Sequence, residues 1–103
     1  MRDLEKKIRD AAEKKILFLP HAIRQMSRPE RMISRGDVRD VVLLGEVIEH
    51  YPNDPRGESC LMLHVPGSRP THVVCAPRRD YLAIITAYLP RPDQWSSDWK
   101  TRS

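Results

Sequence analysis

The apolar positions of this chain change period once, near Gly45, and the change divides it into a helical part and a strand part. In residues 3–15, Leu4, Ile8, Ala11 and Ala12 recur at helical spacing with Glu and Lys on the remaining faces, which predicts a short amphipathic helix. Ile16 to Leu19 is a brief apolar run closed by Pro20, readable either as an edge strand or as an extended lead-in. Pro20 suits a first helical turn, Ala22, Ile23 and Met26 follow at inward positions, and Pro29 stops this second helix. Ser34 with Asp37 makes an S-x-x-D capping box ahead of Val38, Val41, Val42 and Leu44, with Gly45 as the stop, which predicts the third helix.

From Glu46 onward the period is two. Strands are predicted over 46–51, 59–65, 71–76 and 81–89, separated by turn-rich breaks at 52–57, 66–68 and 77–80. The expected architecture is α+β: two to three short N-terminal helices packed on a four-stranded antiparallel meander. Within the last strand Thr86 and Tyr88 are two residues apart and share a face, whereas Ile85 and Ala87 point to the other. The pairing register decides whether His72 joins them, and the sequence leaves that register open. Beyond Pro90 and Pro92, Trp95 is expected to fold back on the sheet, and residues 96–103 to form a loosely ordered tail.

Length and composition narrow the setting. A chain of 103 residues is one domain, able to bury roughly 65% of its unfolded surface. Eighteen basic against 14 acidic residues give a net charge of +4, which suits a polyanionic partner without requiring one. Cys60 and Cys75 stand singly among apolar neighbours in no CxxC spacing, the pattern of buried thiols in a reducing compartment. The N-terminal stretch is too charged for a signal peptide, and no apolar run approaches the ~20 residues of a membrane span. A soluble cytoplasmic protein is expected.

Four histidines, His21, His50, His64 and His72, lie in no tight metal-ligand spacing, so neither a metal nor another cofactor is expected. Imidazole is nonetheless the side chain best suited to acid and base work near neutrality, against which stands the ordinary alternative of a surface or hydrogen-bonded structural histidine. Arg24, Arg28, Arg31, Arg35 and Arg39 recur through the second and third helices, and Arg78 and Arg79 sit in the last hairpin. They read either as a solvated face or as forks for phosphate. Dinucleotide, P-loop and nucleophile-elbow motifs are missing from the sequence.

Taken in order, HAIRQM at 21–26, RMIS at 31–34, GEVIEHYPND at 45–54, SCLMLH at 59–64, THVV at 71–74 and IITAYLP at 84–90 with Trp95 resemble a bacterial family of small domains catalogued without assigned function. That family is distantly similar to the RelE-like and MqsR-like toxins, compact α+β ribonucleases of toxin–antitoxin pairs. The resemblance implies a RelE-like fold and metal-independent endoribonuclease activity leaving 2′,3′-cyclic phosphate ends. Its implied partners are RNA and a cognate antitoxin. His21, His72, Thr86 and Tyr88 would be the catalytic set, with Arg24, Arg31 and Arg78 on RNA phosphate. The chain departs from the family pattern between Met26 and Arg31, where it is two residues longer and where Arg28 is an alternative to Arg31. The contrasting expectation is a non-catalytic RNA-binding or protein-interaction module.

Overall fold

A computed structural model describes residues 2–103. Helix α1 (Arg2–Lys14) turns Leu4, Ile8 and Ala11 inward, and the Glu5 carboxylate accepts a 2.9 Å hydrogen bond from the Val47 amide. Strand β1 (Ile16–Phe18) follows, then α2 (Pro20–Met26), which opens on the pre-set φ of Pro20. Helix α3 (Arg35–Leu44) is closed at its start by the predicted capping box: the Ser34 hydroxyl accepts from the Asp37 amide, and the Asp37 carboxylate from the Ser34 amide, both at 2.9 Å. Strands β2 (Glu46–Tyr51), β3 (Ser59–His64), β4 (Thr71–Pro77) and β5 (Leu82–Tyr88) complete the order.

The fold is α+β, with three helices and a five-stranded mixed sheet in the order β1-β5-β4-β3-β2. The expected four-stranded antiparallel meander is therefore corrected by one strand. β2 to β5 pair antiparallel in sequence order, and β1 adds to the β5 edge in parallel, Ile16 opposite Leu82 and Phe18 opposite Ile84. Three residues are too few to show a period, and a parallel partner lies far along the chain, so the apolar run read locally as either an edge strand or an extended lead-in, and the first of these is the outcome. The flanking amides complete the ladder, Leu82 donating to the Lys15 carbonyl at 2.8 Å and Leu19 to that of Ile84 at 3.1 Å. Because β1 runs parallel to β5, α2 leaves its end in the same direction and packs along β5.

The helices cover one face of the sheet. Ile8, Val38, Val41 and Val42 meet Val47, Cys60, Met62, Val73, Cys75, Leu82, Ile84 and Ala87 in the main core. Each such side chain, withdrawn from water, contributes about 1.5–3 kcal/mol. The opposite face carries Leu61 and Leu63, which alternate with Cys60 and Met62, and a smaller cluster of Ala76, Ala83 and Ile85. Residues 93–103, whose last eight were expected to be loose, fold back against this second face. Trp95 is buried and forms an isolated bridge with Arg102, while the Ser96 amide donates to the Thr101 carbonyl at 2.8 Å and the Ser103 amide to that of Gln94 at 3.0 Å. Among the described residues no helix is long and apolar enough to cross a membrane.

Candidate active site

His72 and Tyr88 stand directly opposite each other in the β4–β5 register, so both point to the face away from the helices. His72 Nδ1 lies 3.2 Å from the Tyr88 hydroxyl and Nε2 lies 2.9 Å from the Trp99 carbonyl. A carbonyl only accepts, so Nε2 carries the proton and Nδ1 accepts from Tyr88. The Trp95 ring meets the imidazole edge-on with centroids 4.4 Å apart, and no part of His72 is exposed. Burial pushes the His72 pKa below its ordinary value despite the carbonyl partner, so the ring is neutral near pH 7. Burial likewise raises the Tyr88 phenol, against the opposing pull of Arg102 and Arg31.

A charged cluster borders this pair. The Tyr51 hydroxyl donates to the Glu49 carboxylate, and Arg102 grips the same carboxylate through Nε and Nη2, each at 3.0 Å. The guanidinium also lies 4.8 Å above the Trp95 ring. Arg102 holds the Glu49 carboxyl below its usual range, while burial, reinforced by Glu49, pushes the Tyr51 phenol up to about 12. Glu49 and Tyr51 share a face by period two and were legible as a polar pair in a strand. Arg102 and the Trp99 carbonyl carried no sequence signal, since their positions follow from how the tail folds back.

The remaining expected residues divide by position. Thr86 lies on the same face as Tyr88, opposite Val74 and partly exposed. Arg31, bonded through its guanidinium to the Gln25 side chain, is close enough for its charge to act on Tyr88. His21 and Arg24 are exposed on α2, the helix that packs along β5. Arg78 is not brought to the site. It lies six residues along β4 from His72, about 20 Å away at strand rise, and its guanidinium is spent on the Arg56 carbonyl at 2.7 Å and the Glu58 carbonyl at 3.4 Å. The β4 strand runs the length of the sheet between the two residues, so Arg78 fastens the 54–58 loop instead. No group of three or more His, Cys, Asp or Glu among the described residues is placed to hold a metal ion.

The arrangement thus offers a phenol hydrogen-bonded to a buried imidazole, a threonine hydroxyl on the same sheet face, and Arg31 near enough for its charge to act on the phenol. The chain belongs to the family described as "Domain of unknown function (DUF4258)", whose profile matches residues 18–89, from the last residue of β1 to just past β5. No curated protein and no solved structure matches the chain.

Proposed function

We propose that this protein is a metal-independent endoribonuclease of the toxin type, with a RelE-like mode of action, working in the cytoplasm and restrained by a cognate antitoxin. The observation that carries the reading is the in-register His72–Tyr88 pair on the sheet face opposite the helices. RNA supplies its own nucleophile. The ribose 2′-oxygen forms the bond to phosphorus, the bond to the 5′-oxygen breaks, one proton leaves the 2′-hydroxyl and one reaches the departing oxygen. His21, exposed on α2, takes the first proton, and the Tyr88 hydroxyl, turning its one proton from His72 Nδ1 to the departing oxygen, supplies the second. Thr86 hydrogen-bonds the phosphate, and Arg31 with Arg24 balances the charge of the phosphorane. His72 is a positioning residue: with Nε2 committed to the Trp99 carbonyl, it fixes the direction of the Tyr88 hydroxyl.

The test is product chemistry. Purified protein, freed of any antitoxin, is expected to yield fragments ending in 2′,3′-cyclic phosphate, and Tyr88→Phe or His21→Ala to slow cleavage by about 10²–10⁴-fold, the range for lost proton transfer. Cleavage unchanged in both variants overturns the reading. A second reading, a non-catalytic RNA-binding or protein-interaction module, is favoured by one observation: both His72 nitrogens are engaged and the ring is covered by the tail. Retention of RNA without cleavage, and normal growth on expression without an antitoxin, would select it.

A further inference from the structure

Next to the His72–Tyr88 pair lies a concavity that none of its residues explains. The turn after α2 and the segment leaving β5 enclose a cleft of about 540 Å³, lined by Arg28, Glu30 and Arg31 from the turn and by Leu89, Pro90, Arg91 and Pro92 from the segment. That volume is in the range of pockets that enclose small organic ligands. The cleft begins one residue beyond Tyr88, and Arg31 in its wall is near enough for its charge to act on the Tyr88 phenol.

Both walls are built to stay in place. In the turn, the Arg31 and Met32 amides both donate to the Arg28 carbonyl, at 2.9 and 3.0 Å. Met32 sits at φ 46, in the left-handed region that a methionine adopts only when its surroundings impose it. Arg69 imposes it: its guanidinium donates to the carbonyls of Arg31 and Met32 and pairs at 3.3 Å with Asp37, the residue that also closes the α3 cap. The other wall is stiffened by two prolines. The charge inside is positive. Glu30 pairs with Arg28 at 2.8 Å and Asp93 with Arg91 at 3.0 Å, but both pairs are exposed and so weak enough to yield to a phosphate. Arg31 has only the neutral Gln25 as its side-chain partner.

We propose that this cleft holds one nucleotide of a single RNA strand, its phosphate on Arg28, Arg31 and Arg91 and its base against Leu89, Pro90 and Pro92. The proposal rests on the ribonuclease reading for its choice of RNA. A base face is free to lie on an apolar floor only in a single strand, since a duplex stacks it away. Three guanidinium groups offer more donors than one phosphate accepts, so the strand can enter without matching a sequence.

The probe is a 2′-O-methyl oligoribonucleotide, which binds as RNA but lacks the attacking hydroxyl and cannot be cut. Fluorescence anisotropy is expected to show wild-type binding at low salt. Arg31→Gln and Arg91→Gln should each weaken it about tenfold, as loss of a charge-assisted hydrogen bond does, and reduce the slope of log K against log salt by about 0.7, one phosphate's share for a single strand. Lys6→Gln, on the exposed side of α1, should bind as wild type does. Arg91 is exposed and pairs only with Asp93, so its variant carries no folding risk. Unchanged affinity in both arginine variants, an equal loss in Lys6→Gln, no binding by the wild type, or equal displacement by a polyglutamate peptide each overturns the cleft. Binding with the expected arginine dependence but no cleavage of ordinary RNA would sustain the cleft and fail the ribonuclease reading, whereas cleavage without that dependence would do the reverse.

Discussion

Trp95→Ala tests whether the folded-back tail is part of the domain or rests loosely upon it. The ring is only 5% exposed, meets His72 edge-on at 4.4 Å and has Arg102 4.8 Å above it. Truncating a buried tryptophan to alanine costs about 3–5 kcal/mol, and the lower end applies here because one wall of the resulting cavity is a flexible arginine that can settle into it. About 3 kcal/mol is a large share of the ~5–15 kcal/mol that holds a domain of this size together. It corresponds to a melting temperature lowered by about 12–20 °C. Trp99→Ala is the matched comparison, since Trp99 serves His72 through its main-chain carbonyl, which alanine keeps; its loss should stay near 1 kcal/mol. Far-UV circular dichroism during heating, with urea midpoints as a check, measures both. A Trp95→Ala protein melting within about 2 °C of wild type would refute the reasoning, because a ring so enclosed could not then be contributing its burial.

Two further outcomes follow from single sites. His72 has a folded-state pKa below its unfolded value, so in the interval between them the unfolded chain binds the extra proton and stability rises with pH. The contribution is complete above about pH 6.5, the unfolded value, and is lost as pH falls through the folded one; urea midpoints should therefore decline below neutrality in wild type and less steeply in His72→Gln, and equal slopes would contradict this. Glu49, Asp37 and Glu58, all held below the usual carboxylate range, add their own losses only at lower pH. Gly45→Ala should lower stability by about 2–3 kcal/mol through overpacking, measurable by the same midpoints, because its Cβ would come within 2.4 Å of the Leu63 carbonyl oxygen and 2.5 Å of the Val41 one.

The helices and β2 to β5 were legible because each announces itself locally. Ser34 and Asp37 cap α3 whatever the rest of the chain does, and the short apolar run through 59–64 is that of a strand buried on both faces. β1 was legible only as one of two alternatives, an edge strand or an extended lead-in, because what decides between them is distant: Ile16, Leu17 and Phe18 pair with Leu82, Ala83 and Ile84, more than sixty residues on. The tail was misjudged for the same reason. Its polar composition reads as a fraying end, whereas contacts distant in sequence close it: Trp95 against the His72 ring, the Trp99 carbonyl on His72 Nε2, and the bidentate Arg102–Glu49 pair across 53 residues.

For the site, residue type pointed to His72 and Tyr88, but their pairing depended on register, and the register of β4 against β5 shifts at Val74 and Cys75 through a bulge. Without that irregularity the alternation from Ile84 would continue unbroken and set Tyr88 on the helix side with Ile84; the bulge inserts the extra residue that turns Thr86 and Tyr88 to the opposite face. A period-two reading of Thr86 and Tyr88 gave their common face without revealing which face it was. The roles then follow from what each ring touches. A histidine with one nitrogen on a carbonyl and the other on a phenol has no free position for a substrate proton, so His72, one of the histidines read as candidate acid or base, serves by holding Tyr88 in place. The other histidine of the proposed set, His21, is exposed on the helix that β1 directs along β5. The strand β1, read from the sequence only as one of two alternatives, is thus the one that sets α2, and with it the exposed His21, along β5.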